Sequence, residues 1–158
     1  MPGAESIDID LTDDERSLLR AGLLEWWGPT NPTDALAVAL GFKDARDLSE
    51  QVGRLRSAID ARQPLAVEDW RRVLLATEIA FIDDVFGSGL DWPITTGFPD
   101  EMTVSMLRAL QRKMPRWRAS VQFSLGDDGQ VHIADRDRPQ GPTETPGTGL
   151  RPASGHSG

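Results

Sequence analysis

Few side chains in this sequence can do chemistry unaided. The 158 residues contain no cysteine, which excludes a disulfide framework, a thiolate nucleophile, a zinc ribbon and a cysteine-ligated cluster. Two histidines, His132 and His156, carry all the imidazole. His132 alternates with Val131 and Ile133 on the polar side of a strand pattern, and neither histidine has a nucleophile close by in sequence, so nucleophilic catalysis is not expected. No Walker glycine loop, dinucleotide fingerprint or nucleophile elbow occurs. No acidic cluster has EF-hand or other metal-ligand spacing. No cofactor, metal or catalytic residue is therefore assigned, and the chain is not expected to be an enzyme.

The carboxylates are the next candidates. Asp83 and Asp84 are adjacent, so on a helix their side chains diverge by about 100° and do not pair. Asp84 falls within an apolar arc of the helix read over Val67 to Phe86. A carboxylate buried there could take part in proton transfer. It also lies in the last turn, where a bond to an amide or an arginine is the simpler account. From Glu5 to Glu15 there are six carboxylates and no base. Net charge is −8, but this acidic leader supplies most of it, and residues 16–134 are close to neutral.

Five tryptophans and no tyrosine complete the inventory. Trp26, Trp70 and Trp117 fit core positions. Trp27 at a helix edge and Trp92 in a Gly/Pro-rich loop fit less well, and indoles that do not bury fully serve as interface anchors. Trp27 and Trp92, with Asp13 and Asp14 of the acidic leader, are the expected partner-binding residues. Five acids without a base (Asp83, Asp84, Asp91, Asp100, Glu101) are followed by Arg108, Arg112, Lys113, Arg116 and Arg118. Helix dipoles account for much of that order; a two-signed docking surface is the sharper reading.

These residues need elements to hold them. Thr12 and Glu15 have the spacing of a capping box, which predicts a helix over 13–27 stopped by Gly28 and Pro29. Asn31 as cap and Pro32 at the first helical position predict a short helix to Leu40. Residues 44–62 keep Ala45, Leu48, Val52, Leu55 and Ile59 at helical spacing. Val67 to Phe86 is apolar on two arcs, so it is expected at the centre of the bundle, with Ile79 and Phe81 in the core. Residues 90–98 read as a loop, and Pro99 to Met114 as a fifth helix. From Trp117 the period changes to two, and Gly126–Gly129 is a turn signal, predicting a β-hairpin.

The expected fold class is mainly α: a five-helix bundle-like domain with a small C-terminal β-hairpin and a disordered C-terminal tail. Its organisation reads as an acidic N-terminal arm over 1–11, a single domain over 12–134 with the hairpin at 118–134, and a tail over 135–158. The tail has five glycines, four prolines and no aromatic residue.

Ala35–Val52 has a faint helix-turn-helix outline, but Asp47 and Glu50 sit where the second helix should pack or read DNA. The acidic balance also opposes phosphate binding. The N-terminus lacks a basic, apolar secretory signal, and no apolar run reaches a membrane span, so no membrane partner and a cytoplasmic location are expected. The expected function is a non-catalytic protein-interaction module, an adaptor, regulator or toxin-neutralising partner, with a basic surface on the other protein as the charge complement. The alternative is a small-molecule-binding or enzymatic domain whose pocket is lined by Trp70, Trp92, Phe98 and Asp84.

Overall fold

Capping and apolar spacing place six α-helices among the residues described by the computed structural model, namely 5–28, 30, 32–115, 121–127 and 129–135. The chain is mainly helical, with one helix more than the periodicity suggests. It divides into two compact units, Met1–Trp117 and Arg118–Gly158. Among the described residues no helix is long and apolar enough to cross a membrane.

The N-terminal segment is no free arm. Ser6–Ile7 (β1) pairs antiparallel with Leu65–Ala66 (β2), and Ile9 and Leu11 are buried. The apolar members of this acidic stretch alternate with its carboxylates, so one face enters the core while Asp8 and Asp10 stay outside. The Trp70 indole donates to the Ile7 carbonyl at 3.0 Å, and Lys113 Nζ to the Asp10 carbonyl at 2.9 Å. Residues 1–4 lie outside the described set.

Thr12 and Glu15 form the expected capping box, which starts α1 (Asp13–Glu25). The helix closes two residues early, because Trp26, Trp27 and Gly28 donate to carbonyls three residues back in tighter turns. Thr33, rather than Asn31, caps α2 (Asp34–Ala39), so Pro32 precedes the helix. Asn31 and Pro29 are outside the described residues. Asp44 caps α3 (Ala45–Asp60), which buries Leu48, Val52, Leu55, Ala58 and Ile59 as its spacing predicts.

The central helix is α1, not the 67–86 segment. α1 packs on α3, on α4 (Val67–Ile82), on α5 (Trp92–Thr96) and on α6 (Asp100–Lys113). Leu18, Leu19 and Leu23 are fully buried. Gly22 permits the close approach of α4, since a Cβ there would stand 2.5 Å from Thr77 Cγ2. Ile79 and Phe81 are half-buried rather than central.

α4 ends at Ile82, four residues before the periodicity does. Asp83 turns extended (φ −96°, ψ 122°), and its Oδ1 accepts from the Val85 and Phe86 amides at 2.9 and 2.6 Å. An aspartate that offers its carboxylate to amides further along competes with the helix ladder. The residues after it include a short 3-10 turn, Gly89–Asp91, that leads into α5, so the predicted loop 90–98 is largely helical. Gly97 ends α5 at φ 79°, in the left-handed region that glycine adopts freely.

Val121–Leu125 (β3) and Val131–Asp135 (β4) pair antiparallel, with Phe123 opposite Ile133. Gly126 donates to Gln130 across the turn, as the glycine-flanked signal predicts. Trp117, expected in the core, residues 118–120 and 128 of the predicted hairpin, and 136–158 of the predicted tail lie outside the described set, while Asp135, expected to begin the tail, ends β4.

Candidate functional site

Among the described residues, the segment from Ile82 to Glu101 holds the most exposed large apolar side chains and one of the most buried. Trp92 is 0% exposed. Its indole N–H donates to Thr103 Oγ1 at 2.9 Å, and Thr103 in turn donates to the Pro99 carbonyl at 3.0 Å. Phe81 of α4 stands edge-on, with ring centroids 5.5 Å apart and planes at 72°. The Thr96 hydroxyl donates to the Trp92 carbonyl at 2.6 Å. One indole thus ties α5 to both α4 and α6.

Further bonds hold the connection before it. The Leu90 amide donates to Asp84 Oδ1 at 3.1 Å, and the Ser88 amide to the Ala80 carbonyl at 2.8 Å. The Ser88 hydroxyl donates to the buried Glu25 carboxylate at the end of α1. Gly87 sits against the carbonyls of Ile79, Ala80 and Asp83, where a Cβ would collide. The segment is therefore positioned by bonds to α1, α4 and α6, as a rigid surface requires.

From this scaffold Ile82, Val85, Leu90 and Ile94 project at 71, 78, 83 and 83% exposure. Leu90 lies in the 3-10 turn and Ile94 four residues on in α5, and both side chains are exposed. Single exposed apolar residues are ordinary; four within thirteen positions on a pinned segment call for an explanation. Asp84, Asp91, Asp100 and Glu101 are exposed and Asp83 is half-exposed. No described ion pair involves any of the five.

Two hollows adjoin along the α4–α6 seam. One, of about 230 Å³, is walled by Phe81, Ile82, Val104 and Leu107. The other, of about 280 Å³, is lined by Val67, Trp70, Leu74, Leu75, Met114 and Pro115. Gln111 reaches both, donating to Glu78 Oε1 at 2.6 Å and accepting from Arg108 Nη1 at 2.8 Å.

The residues expected to bind a partner are not brought together. Trp92 is interior, because Phe81 and Thr103 offer its ring and N–H a complete environment. Trp27 is 50% exposed, yet it lies across α3: its N–H donates to the Ser49 carbonyl at 2.9 Å, Gly53 gives it room, and the Arg56 guanidinium covers its ring at 5.5 Å. Asp13 pairs with Arg62 at 2.8 Å, and Asp14 is exposed in the first turn of α1. Trp27 and these two aspartates stand at opposite ends of α1, ~20 Å apart along its axis.

Asp84 lies outside the helix and is exposed, so no buried acid forms in the apolar arc. The pocket expected from Trp70, Trp92, Phe98 and Asp84 does not assemble, since Trp92 is fully buried and Asp84 exposed; Trp70 lines a different hollow, with Leu74 and Met114. Among the described residues no group of three or more His, Asp or Glu is placed to hold a metal.

Ile82, Val85, Leu90 and Ile94 escape a sequence reading because a loop leucine and a helix-end valine look like core candidates. The available signal is the i, i+4 pair Leu90 and Ile94 beside five acids with no base.

The buried acids elsewhere are structural. Glu15 accepts from Lys113 Nζ at 2.7 Å and from the Thr12 amide at 2.8 Å. Burial pushes its carboxyl up, but the Lys113 and Thr12 bonds outweigh this and hold it below its ordinary value. Outside the core, the bond from the Lys43 amide lowers the Asp47 carboxyl. No protein-family model matches the chain, and no curated protein or solved structure matches it.

Proposed function

We propose that this chain is a non-catalytic protein-interaction module, an adaptor, regulator or toxin-neutralising partner, and that it makes contact through Ile82, Val85, Leu90 and Ile94. The observation that carries the reading is their exposure on a segment that is otherwise fixed. Keeping apolar groups in water forgoes ~25 cal/mol per Å² of burial. A contact surface recovers that energy when a partner covers it.

The test is capture of a native partner by the full chain and by Leu90→Asp/Ile94→Asp, with the near-ultraviolet dichroism of the tryptophans confirming an intact fold. A stoichiometric protein retained by the parent chain and lost by the variant supports the reading. Equal retention by both, or no stoichiometric protein with the parent chain, overturns it.

One observation favours a second reading, a small-molecule site. The 280 Å³ hollow beside Trp70 is mostly apolar and close to the lower end of ligand-pocket sizes, ~300 Å³. The Trp70 N–H is already given to Ile7, so the indole offers this space only apolar surface. Saturable quenching of tryptophan emission by an apolar dye, lost in Leu74→Asp, would support it.

A further inference from the structure

We propose that the surface around Leu90 and Ile94 binds a basic amphipathic segment of its partner, a helix with an apolar strip flanked by lysine or arginine. This deepens the interaction reading and rests on it. The chain from Asp83 to Glu101 carries five carboxylates and no lysine, arginine or histidine. Elsewhere each of the six described ion pairs joins a carboxylate to a cation of the chain itself. Asp83 and Asp84 instead bond to main-chain amides, which fixes their carboxylates without neutralising them. Uncompensated negative charge around exposed apolar side chains is complementary to cations around an apolar strip.

The geometry suits a helix. Leu90 and Ile94, both exposed across the 3-10 turn and α5, offer two apolar contacts to the apolar strip of a second helix. Ile82 precedes the Asp83–Asp84 turn that holds the Leu90 amide, and it also walls the 230 Å³ hollow with Phe81, Val104 and Leu107. That hollow has room for one large apolar side chain of the incoming helix. Arg108, the cation on its wall, is turned to Gln111. A second copy of this chain is a poor occupant, since self-pairing would oppose five carboxylates to five. An anionic lipid surface meets the same repulsion.

The test uses the full chain and two labelled helical peptides of about 18 residues, ~27 Å long. They share one leucine face, flanked by lysine in one and glutamate in the other. Fluorescence anisotropy is expected to show the lysine peptide binding at least about tenfold more tightly. Its affinity should fall as salt rises from about 0.05 to about 0.3 M, where the screening length shortens.

Leu90→Ser/Ile94→Ser should weaken it, and Asp91→Asn/Glu101→Gln should weaken it and flatten the salt dependence. Asp13→Asn/Asp14→Asn should leave it unchanged. Equal binding of both peptides, or an equal loss in the Asp13/Asp14 variant, overturns the proposal. A dimer of the chain that Leu90→Ser/Ile94→Ser breaks also overturns it. If the peptides do not discriminate while native capture still depends on Leu90 and Ile94, the partner chemistry is wrong and the interaction reading stands. If neither effect is seen, both fall.

Discussion

The carboxylates of the α1–α3–α4 flank and those of residues 83–101 are used in opposite ways. On the flank they fasten elements to one another. Asp69, nearly buried on α4, accepts from Arg54 of α3 and from Arg72, both at 2.9 Å, while Arg72 also donates to the Gly41 carbonyl and covers the Phe42 ring. Asp60 meets Arg20, and Asp13 meets Arg62. In the 83–101 segment the packing of Trp92 and bonds to the main chain do the fastening; Asp83 and Asp84 accept amides there without meeting a cation, and Asp91, Asp100 and Glu101 are exposed. Carboxylates that no described cation of the chain neutralises keep their charge for a partner.

Removing the indole should have the largest effect. Trp92→Ala is expected to lose about 3–5 kcal/mol of stability, because it empties a fully buried site and strands the Thr103 hydroxyl that accepts from the indole. Denaturant unfolding measures it, and a loss under 1 kcal/mol would mean that Trp92 is not what holds the segment. Asp69→Asn breaks the comparison from the other side. It leaves Arg54 and Arg72 without their counter-charge, and about 1–3 kcal/mol should be lost, below the figure for a deeply buried pair because Arg54 is half-exposed.

The Lys113–Glu15 pair should show as a pH effect. Its carboxyl lies below the ordinary value of 4.5 in the folded chain, so its contribution is fully present above that value. The contribution disappears as pH falls through the depressed folded value. The urea midpoint is expected to drop as pH falls below about 4.5, and to drop less in Lys113→Met. An equally steep fall in that variant would remove Lys113 as a principal cause.

Much of the helical fold is legible in the sequence where cap and periodicity agree. Thr12 with Glu15 and the apolar ladder of Leu48, Val52, Leu55 and Ile59 each state a local rule that tertiary contacts reinforce. The end of α4 is illegible because apolar period continues through Val85 and Phe86, while the decisive event is one carboxylate turning to two amides. The centrality of α1 is hidden for a similar reason: it depends on Gly22 admitting Thr77, a contact 55 positions apart in sequence, for which periodicity has no symbol. Trp92 is misplaced by its surroundings, since Pro93 and Gly97 mark a loop in composition but serve here as the start and stop of a five-residue helix.

The smallest expected effect is the most discriminating. Asp91 is exposed, joins no described ion pair and receives no described side-chain bond, so Asp91→Asn should change stability by no more than about 0.5 kcal/mol. Asp100 is a less clean choice, because it sits in the first turn of α6 and favours that helix through its dipole. Set beside Asp69→Asn, the same chemical change in the two regions should cost stability in one and almost nothing in the other. A loss at Asp91 comparable to that at Asp69 would show that the charge serves the fold. Stability unchanged, with weaker binding of the lysine peptide, separates holding the fold from meeting a partner.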